Sequence, residues 1–135
     1  MIAAGMTAVN LFAATERDHA IDAEHLHRMT LGDRRLEREV LELFVRQTAI
    51  MLDRIAAAEQ PANAAAAAHT LKGSARGIGA WRVARAAEMV EQAAGAADGE
   101  EIEEANAELR AASLEASVAI GARLTVLLAE LAKDR

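Results

Sequence analysis

Apolar residues of this chain recur at intervals of three and four, and sustained alternation of apolar and polar residues is absent. Leu36, Val40, Leu43, Phe44, Met51 and Ile55 make one such series. Ala64, Ala68, Leu71, Ala75 and Ile78 make a second, and Val83, Ala87, Val90 and Ala94 a third. Ile102, Ala105, Leu109 and Ala112 open a fourth, which continues through Ile120, Leu124, Leu127 and Leu131. That periodicity is helical and leaves no segment for a strand. Alanine, leucine, glutamate and arginine dominate, and there is one proline, so intrinsic propensity agrees with the pattern.

Punctuation divides the series. Asp22 is placed to cap a short helix to Met29, and Asp33, after the Gly32 break, to cap the first long one. Gln60-Pro61 ends that helix, and Pro61 suits the first turn of the next, which runs to about Gly77. Gly77 and Gly79 loosen its end, residues 95–99 form a linker, and the last helix spans Glu100 to Lys133 with a bend expected at Gly121. Short connections make neighbours antiparallel, so the expected fold is an all-α, up-down four-helix bundle with a short additional N-terminal helix. Residues 1–20 read as a weakly patterned arm, a frayed or unstructured start, and 21–135 as the bundle.

Composition narrows the function. With 135 residues the chain can bury one core. A net charge of −6 argues against nucleic acid as the main partner. With no cysteine, disulfide scaffolds and thiolate chemistry are excluded. No uninterrupted apolar run suggests a membrane span, and the apolar start, Met1 to Val9, lacks the basic residues of a signal peptide. A cytoplasmic monomer without membrane insertion is expected.

The chemistry concentrates in His69-Thr70-Leu71-Lys72-Gly73-Ser74-Ala75-Arg76-Gly77-Ile78-Gly79-Ala80. On a helix His69 lies roughly 140° from the centre of the Ala64–Ile78 stripe, on the side of Lys72, Gly73 and Arg76. The histidine therefore faces water or a partner. Glycine in a helix costs about 1 kcal/mol relative to alanine. At Gly73 that cost has a use, because another backbone can then approach His69 closely. Lys72 and Lys133 are the only lysines among fifteen basic residues. A lysine ammonium is a compact mobile charge, and the Arg76 guanidinium offers a planar fork to phosphate oxygens. A reachable histidine in this setting suits carriage of a phosphoryl group.

These residues resemble the histidine-phosphotransfer (HPt) motif, His-x-Leu-Lys-Gly-Ser-x followed by Gly-Ala. The matches are His69, Leu71, Lys72, Gly73, Ser74, Gly79 and Ala80. The resemblance extends over about residues 21–132, while Arg76 and Trp81 are not fixed by it. It implies a phosphorelay intermediate in which His69 accepts a phosphoryl group from a receiver-domain aspartate and passes it to another. It also implies that Ser74 donates a hydrogen bond to the imidazole. Response-regulator receiver domains are the implied partners, with a hybrid histidine kinase as a further one. The receiver would bring magnesium, and this chain would need no cofactor of its own. No ATP-binding motif is present, so self-phosphorylation is not expected.

Other readings are weaker. His25 and His27 lie two apart and diverge on a helix, and His19 falls in the arm, so no metal site is expected. Gly73 to Gly79 mimics the glycine turn of short-chain dehydrogenases, but that turn follows a strand and this one follows an alanine-rich helix. No Gly-Lys-Ser/Thr closes a phosphate-binding loop. Glu100, Glu101, Glu103 and Glu104 suit a solvated helix start. Trp81 is either a packing residue or a binding anchor. The rival function is an adaptor or dimerisation bundle with an inert His69.

Overall fold

The structure is a computed structural model that describes residues 19–134. Five helices follow one another: α1 Ala23–Met29, α2 Arg34–Ala57, α3 Pro61–Ile78, α4 Trp81–Gly95 and α5 Gly99–Lys133. No strand occurs among the described residues. Helices α2 to α5 close a four-membered ring in which α2 packs on α3, α3 on α4, α4 on α5 and α5 on α2. Helix α1 rests on α3. Most of the expected N-terminal arm, residues 1–18, lies outside the described residues.

Aspartates start three of the helices. The Asp22 carboxylate accepts the His25 N–H at 3.0 Å, Asp33 accepts those of Arg35 and Leu36, and Asp98 those of Glu100 and Glu101. Each satisfies donors that have no partner within the first turn. Pro61 occupies the first turn of α3, where its missing N–H costs nothing. Helix α5 runs unbroken through Gly121.

The core is built from Leu41, Leu71, Leu109, Ile120, Leu127, Val83 and Val90, all fully buried, with alanines of α3 and α4 between them. The inner face of α2 departs from the expected series. Leu41, Phe44, Met51 and Ile55 are inside with Glu37 and Thr48, whereas Leu36 and Leu43 are exposed. The cause is that a seven-residue repeat such as Leu36–Leu43 follows the flank of a helix as faithfully as its core face. Polar burial is compensated. The Thr48 hydroxyl donates to the Phe44 carbonyl at 2.7 Å. Glu37 receives a two-pronged contact from Arg123, with Nη2 at 3.0 Å from Oε1. That hydrogen bond raises the Arg123 pKa further, against the opposing effect of burial.

The turn between α3 and α4 is the tightest constraint in the fold. Gly79 ends α3 in the left-handed region, at φ +81°. Its carbonyl accepts the Asp22 N–H at 2.9 Å. The Asp22 carboxylate also accepts Trp81 Nε1–H at 2.9 Å, and His25 Nε2–H donates to the Arg76 carbonyl at 3.0 Å. The His25 and Trp81 rings meet edge to face, with centroids 4.9 Å apart. Helix α1 thus clamps the end of α3, and Trp81 takes the packing role. A Cβ at Gly79 would lie 2.9 Å from Asp22 Cβ and 3.0 Å from its carbonyl oxygen.

Gly79→Ala is therefore expected to destabilise the fold by about 2 kcal/mol, from the left-handed backbone and the clash together. Gly77 sits within the helix, and a Cβ there meets nothing within 4 Å. Gly77→Ala is expected to stabilise by about 0.5–1 kcal/mol. Denaturant melts of the two variants check this, since equal effects at both positions would contradict it.

Candidate functional site

His69 projects from the outer face of α3, and its side chain is 71% exposed. Its Nδ1 lies 3.1 Å from Oε2 of Glu91 on α4. The other oxygen of Glu91, Oε1, lies 2.6 Å from Lys72 Nζ. One carboxylate thus bridges the histidine and the lysine. Lys72 is 14% exposed at its side chain and Glu91 23%, so the pair lies low in the α3–α4 seam while the imidazole stands above it.

The electrostatics follow from this placement. Burial alone would raise the Glu91 pKa. Hydrogen bonds from Lys72 and His69, and the charges they carry, outweigh burial and hold it below its usual value. Glu91 is therefore an anion at neutral pH and can only accept. In a neutral imidazole the nitrogen that faces Glu91, Nδ1, is then the one that carries the proton, which leaves the lone pair on Nε2.

Lys72, Gly73 and Arg76 share the His69 face as the helical spacing requires. A Cβ at Gly73 would meet nothing within 4 Å, so the surface beside the imidazole is open. Arg76 is exposed, forms no ion pair among the described residues, and lines a shallow groove of about 330 Å³ with Trp81, Ala84, Arg85 and Glu88. Two expectations need correction. Ser74 does not reach the imidazole; five residues on, the helix has turned it away by about 140°, and its hydroxyl donates to Gln47 Oε1 on α2 at 3.2 Å. Lys72 is not a free surface cation but is half-buried against Glu91.

Glu91 was not singled out by its sequence. A signal exists nonetheless. The α3–α4 turn is Gly79-Ala80, so an antiparallel hairpin sets a residue ten before Gly79 opposite one about eleven after Ala80. Those residues are His69 and Glu91. A wider groove of about 670 Å³, among α1, α2 and α5 and lined by His19, Glu37 and Arg123, lies apart from the histidine. No group of three or more His, Asp or Glu side chains among the described residues could hold a metal ion.

The sequence profile of the Hpt domain family matches residues 39–133, and the chain belongs to that family. Its fold is similar to the X-ray structure of a rice protein assigned as a histidine-containing phosphotransfer protein. The two superpose with a TM-score of 0.73 at 18% identity, covering 90% of this chain and 88% of the rice chain. No curated protein matches the sequence significantly. Histidine phosphotransfer in a phosphorelay is the role that membership gives.

The Lys72–Glu91–His69 arrangement contributes stability with a defined pH dependence. A carboxyl whose pKa is lowered by folding stabilises above its unfolded value, and the contribution disappears as pH falls through the folded one. The stability advantage of the parent over Glu91→Gln is expected to be present at neutral pH and to shrink as pH falls below 4.5, the ordinary value. Paired melts across that range check it. An advantage undiminished well below that pH would contradict the anionic assignment.

Proposed function

We propose that His69 is the phosphoryl-carrying residue, accepting from a receiver-domain aspartate and donating to the aspartate of another receiver. The observation that carries this reading is the Glu91 carboxylate against His69 Nδ1. It makes Nε2 the nucleophile. Nε2 attacks the phosphorus of the aspartyl phosphate as the P–O bond breaks, and the aspartate leaves as a carboxylate with that electron pair. The ring becomes a phospho-imidazolium whose positive charge is offset by Glu91. Donation to a second aspartate reverses the step.

Phosphoryl transfer rests on in-line placement and neutralisation of the equatorial oxygens. Lys72 is the group of this chain nearest that task. Its ammonium is anchored by Glu91 at one side of the histidine and can follow added charge of roughly −1.5 to −2. Gly73 leaves room for the approaching receiver. The remaining charge stabilisation, including the magnesium ion, belongs to the receiver in this reading, as does the acidic cluster. The chain carries the group without generating it, so no autokinase activity is expected. A hybrid histidine kinase would be the natural source, in the cytoplasm.

The test is transfer from a phosphorylated receiver domain. The product is expected to be acid-labile and base-stable, as phosphohistidine is. His69→Gln should abolish labelling while the protein stays folded, with a melting point close to the parent's, and His27→Gln, exposed on α1, should label normally. Label retained by the His69 variant would defeat the assignment and favour the inert adaptor bundle.

Lys72→Ala is expected to slow transfer about tenfold, some 1.4 kcal/mol in the barrier. Arg76→Ala, farther from the imidazole, is expected to slow it about twofold. Since Lys72 is half-buried, its loss should also cost about 1 kcal/mol of stability, and loss of exposed Arg76 little. Rapid-quench transfer rates with melts of both variants decide the order. A Lys72→Ala rate equal to that of the parent would leave charge stabilisation wholly to the receiver.

A further inference from the structure

Helix α5 is 35 residues long and has two unlike faces. Leu109, Ser113, Ala116, Ile120 and Leu127 point inward and are buried. Roughly opposite, at about 100° per residue, stand Leu114, Val118, Gly121, Ala122, Thr125 and Leu128. Leu114 and Val118 are each 68% exposed and Leu128 49%. From Ala111 to Ala132 this outward stripe carries no charge; Glu115 falls to its side, while Arg123 and Glu130 turn back to α2, where they meet Glu37 and Arg34. In a chain with 27% charged residues, a solvated helix face would not be left so bare. An 18-residue window of α5 is long and apolar enough to cross a bilayer, and only 22% of it is buried in the bundle. Isolated charges interrupt this segment, so no uninterrupted apolar run marks it in the sequence.

We propose that this stripe is the interface with a second copy of the chain, packed antiparallel about a two-fold axis at Gly121. The stripe is self-complementary about that point. Leu114 and Leu128 lie seven residues to either side, so the axis sets Leu114 of one copy on Leu128 of the other. Val118, three residues before Gly121, falls near Thr125, four after it. Gly121 carries no side chain and has nothing within 4 Å of where one would begin, so the two backbones can approach closely there. Charge agrees with this pairing. Glu108 and Lys133, both exposed, lie on the same flank thirteen residues before and twelve after Gly121. A two-fold axis brings each opposite the other's partner, so the ion pair forms twice. The same features disfavour a membrane surface, which an amphipathic helix reaches with basic flanks. The flank here carries Glu108 and Glu115 with Lys133.

Helices α3 and α5 occupy opposite corners of the ring, since each packs on α2 and α4. Pairing through α5 therefore leaves both His69 faces open. One helix pair is a small interface, so the dissociation constant is expected in the micromolar range.

Sedimentation velocity of the full chain from low to high micromolar concentration tests the proposal by mass, independently of any phosphoryl chemistry. The parent should pass from monomer to dimer. Leu114→Glu with Val118→Glu should stay monomeric while melting as the parent does and accepting phosphoryl groups at the parent rate. The chain has no cysteine, so Gly121→Cys gives a clean symmetry probe. It should form an interchain disulfide much faster than Met89→Cys, another exposed position, on α4. A parent that is monomeric at every concentration overturns the proposal, as does cross-linking at Gly121 no faster than at Met89. A monomer that floats with phosphatidylcholine–phosphatidylglycerol vesicles would assign the stripe to lipid and overturn it too.

Discussion

The left-handed turn at Gly79 is the constraint on which the site depends. Two residues separate α3 from α4, so the register of that hairpin has almost no freedom. Helix α1 removes what remains: Asp22 holds the Gly79 carbonyl and the Trp81 indole, and His25 holds the Arg76 carbonyl. With the register fixed, Glu91 can only fall beside His69 and Lys72. The short N-terminal helix thus acts on the site at a distance, by fixing the register of the hairpin. His25 belongs to this clamp and is a structural histidine, with a role unlike that of His69.

The bridging carboxylate does several things at once. It orients the imidazole, assigns its proton, and keeps the lysine within reach of any group on the histidine. A rigid helix pair holds these groups before a partner arrives, so little reorganisation is left for the encounter. The histidine is exposed and Gly73 bare, so the shape of the complex is left to the partner. This division suits a carrier, which must present one group to different receivers and bind none of them permanently.

Much of this was legible in the sequence, for identifiable reasons. Helix limits followed from capping chemistry that is local: Asp22, Asp33 and Pro61 act within one turn of themselves. The face shared by His69, Lys72, Gly73 and Arg76 followed from the helical repeat. What escaped depended on partners distant in sequence. Leu41 and Leu43 are equally apolar, and only the positions of α3 and α5 decide which is buried. Ser74 engages Gln47 because α2 lies on that side. Glu91 required the turn to be known to the residue before the hairpin could be folded on paper. Leu114 and Val118 look like core residues until the bundle closes without them.

The central claim is that Glu91 holds the His69 proton on Nδ1 and frees Nε2. Long-range ¹H–¹⁵N correlation NMR on uniformly labelled protein, at a pH where the imidazole is neutral, reads that tautomer directly. The account requires a pyrrole-like shift at Nδ1 and a pyridine-like shift at Nε2 in the parent, with Glu91→Gln relaxing toward the mixture of free histidine. A neutral His69 protonated at Nε2 in the parent, or a tautomer balance indifferent to Glu91, would contradict it.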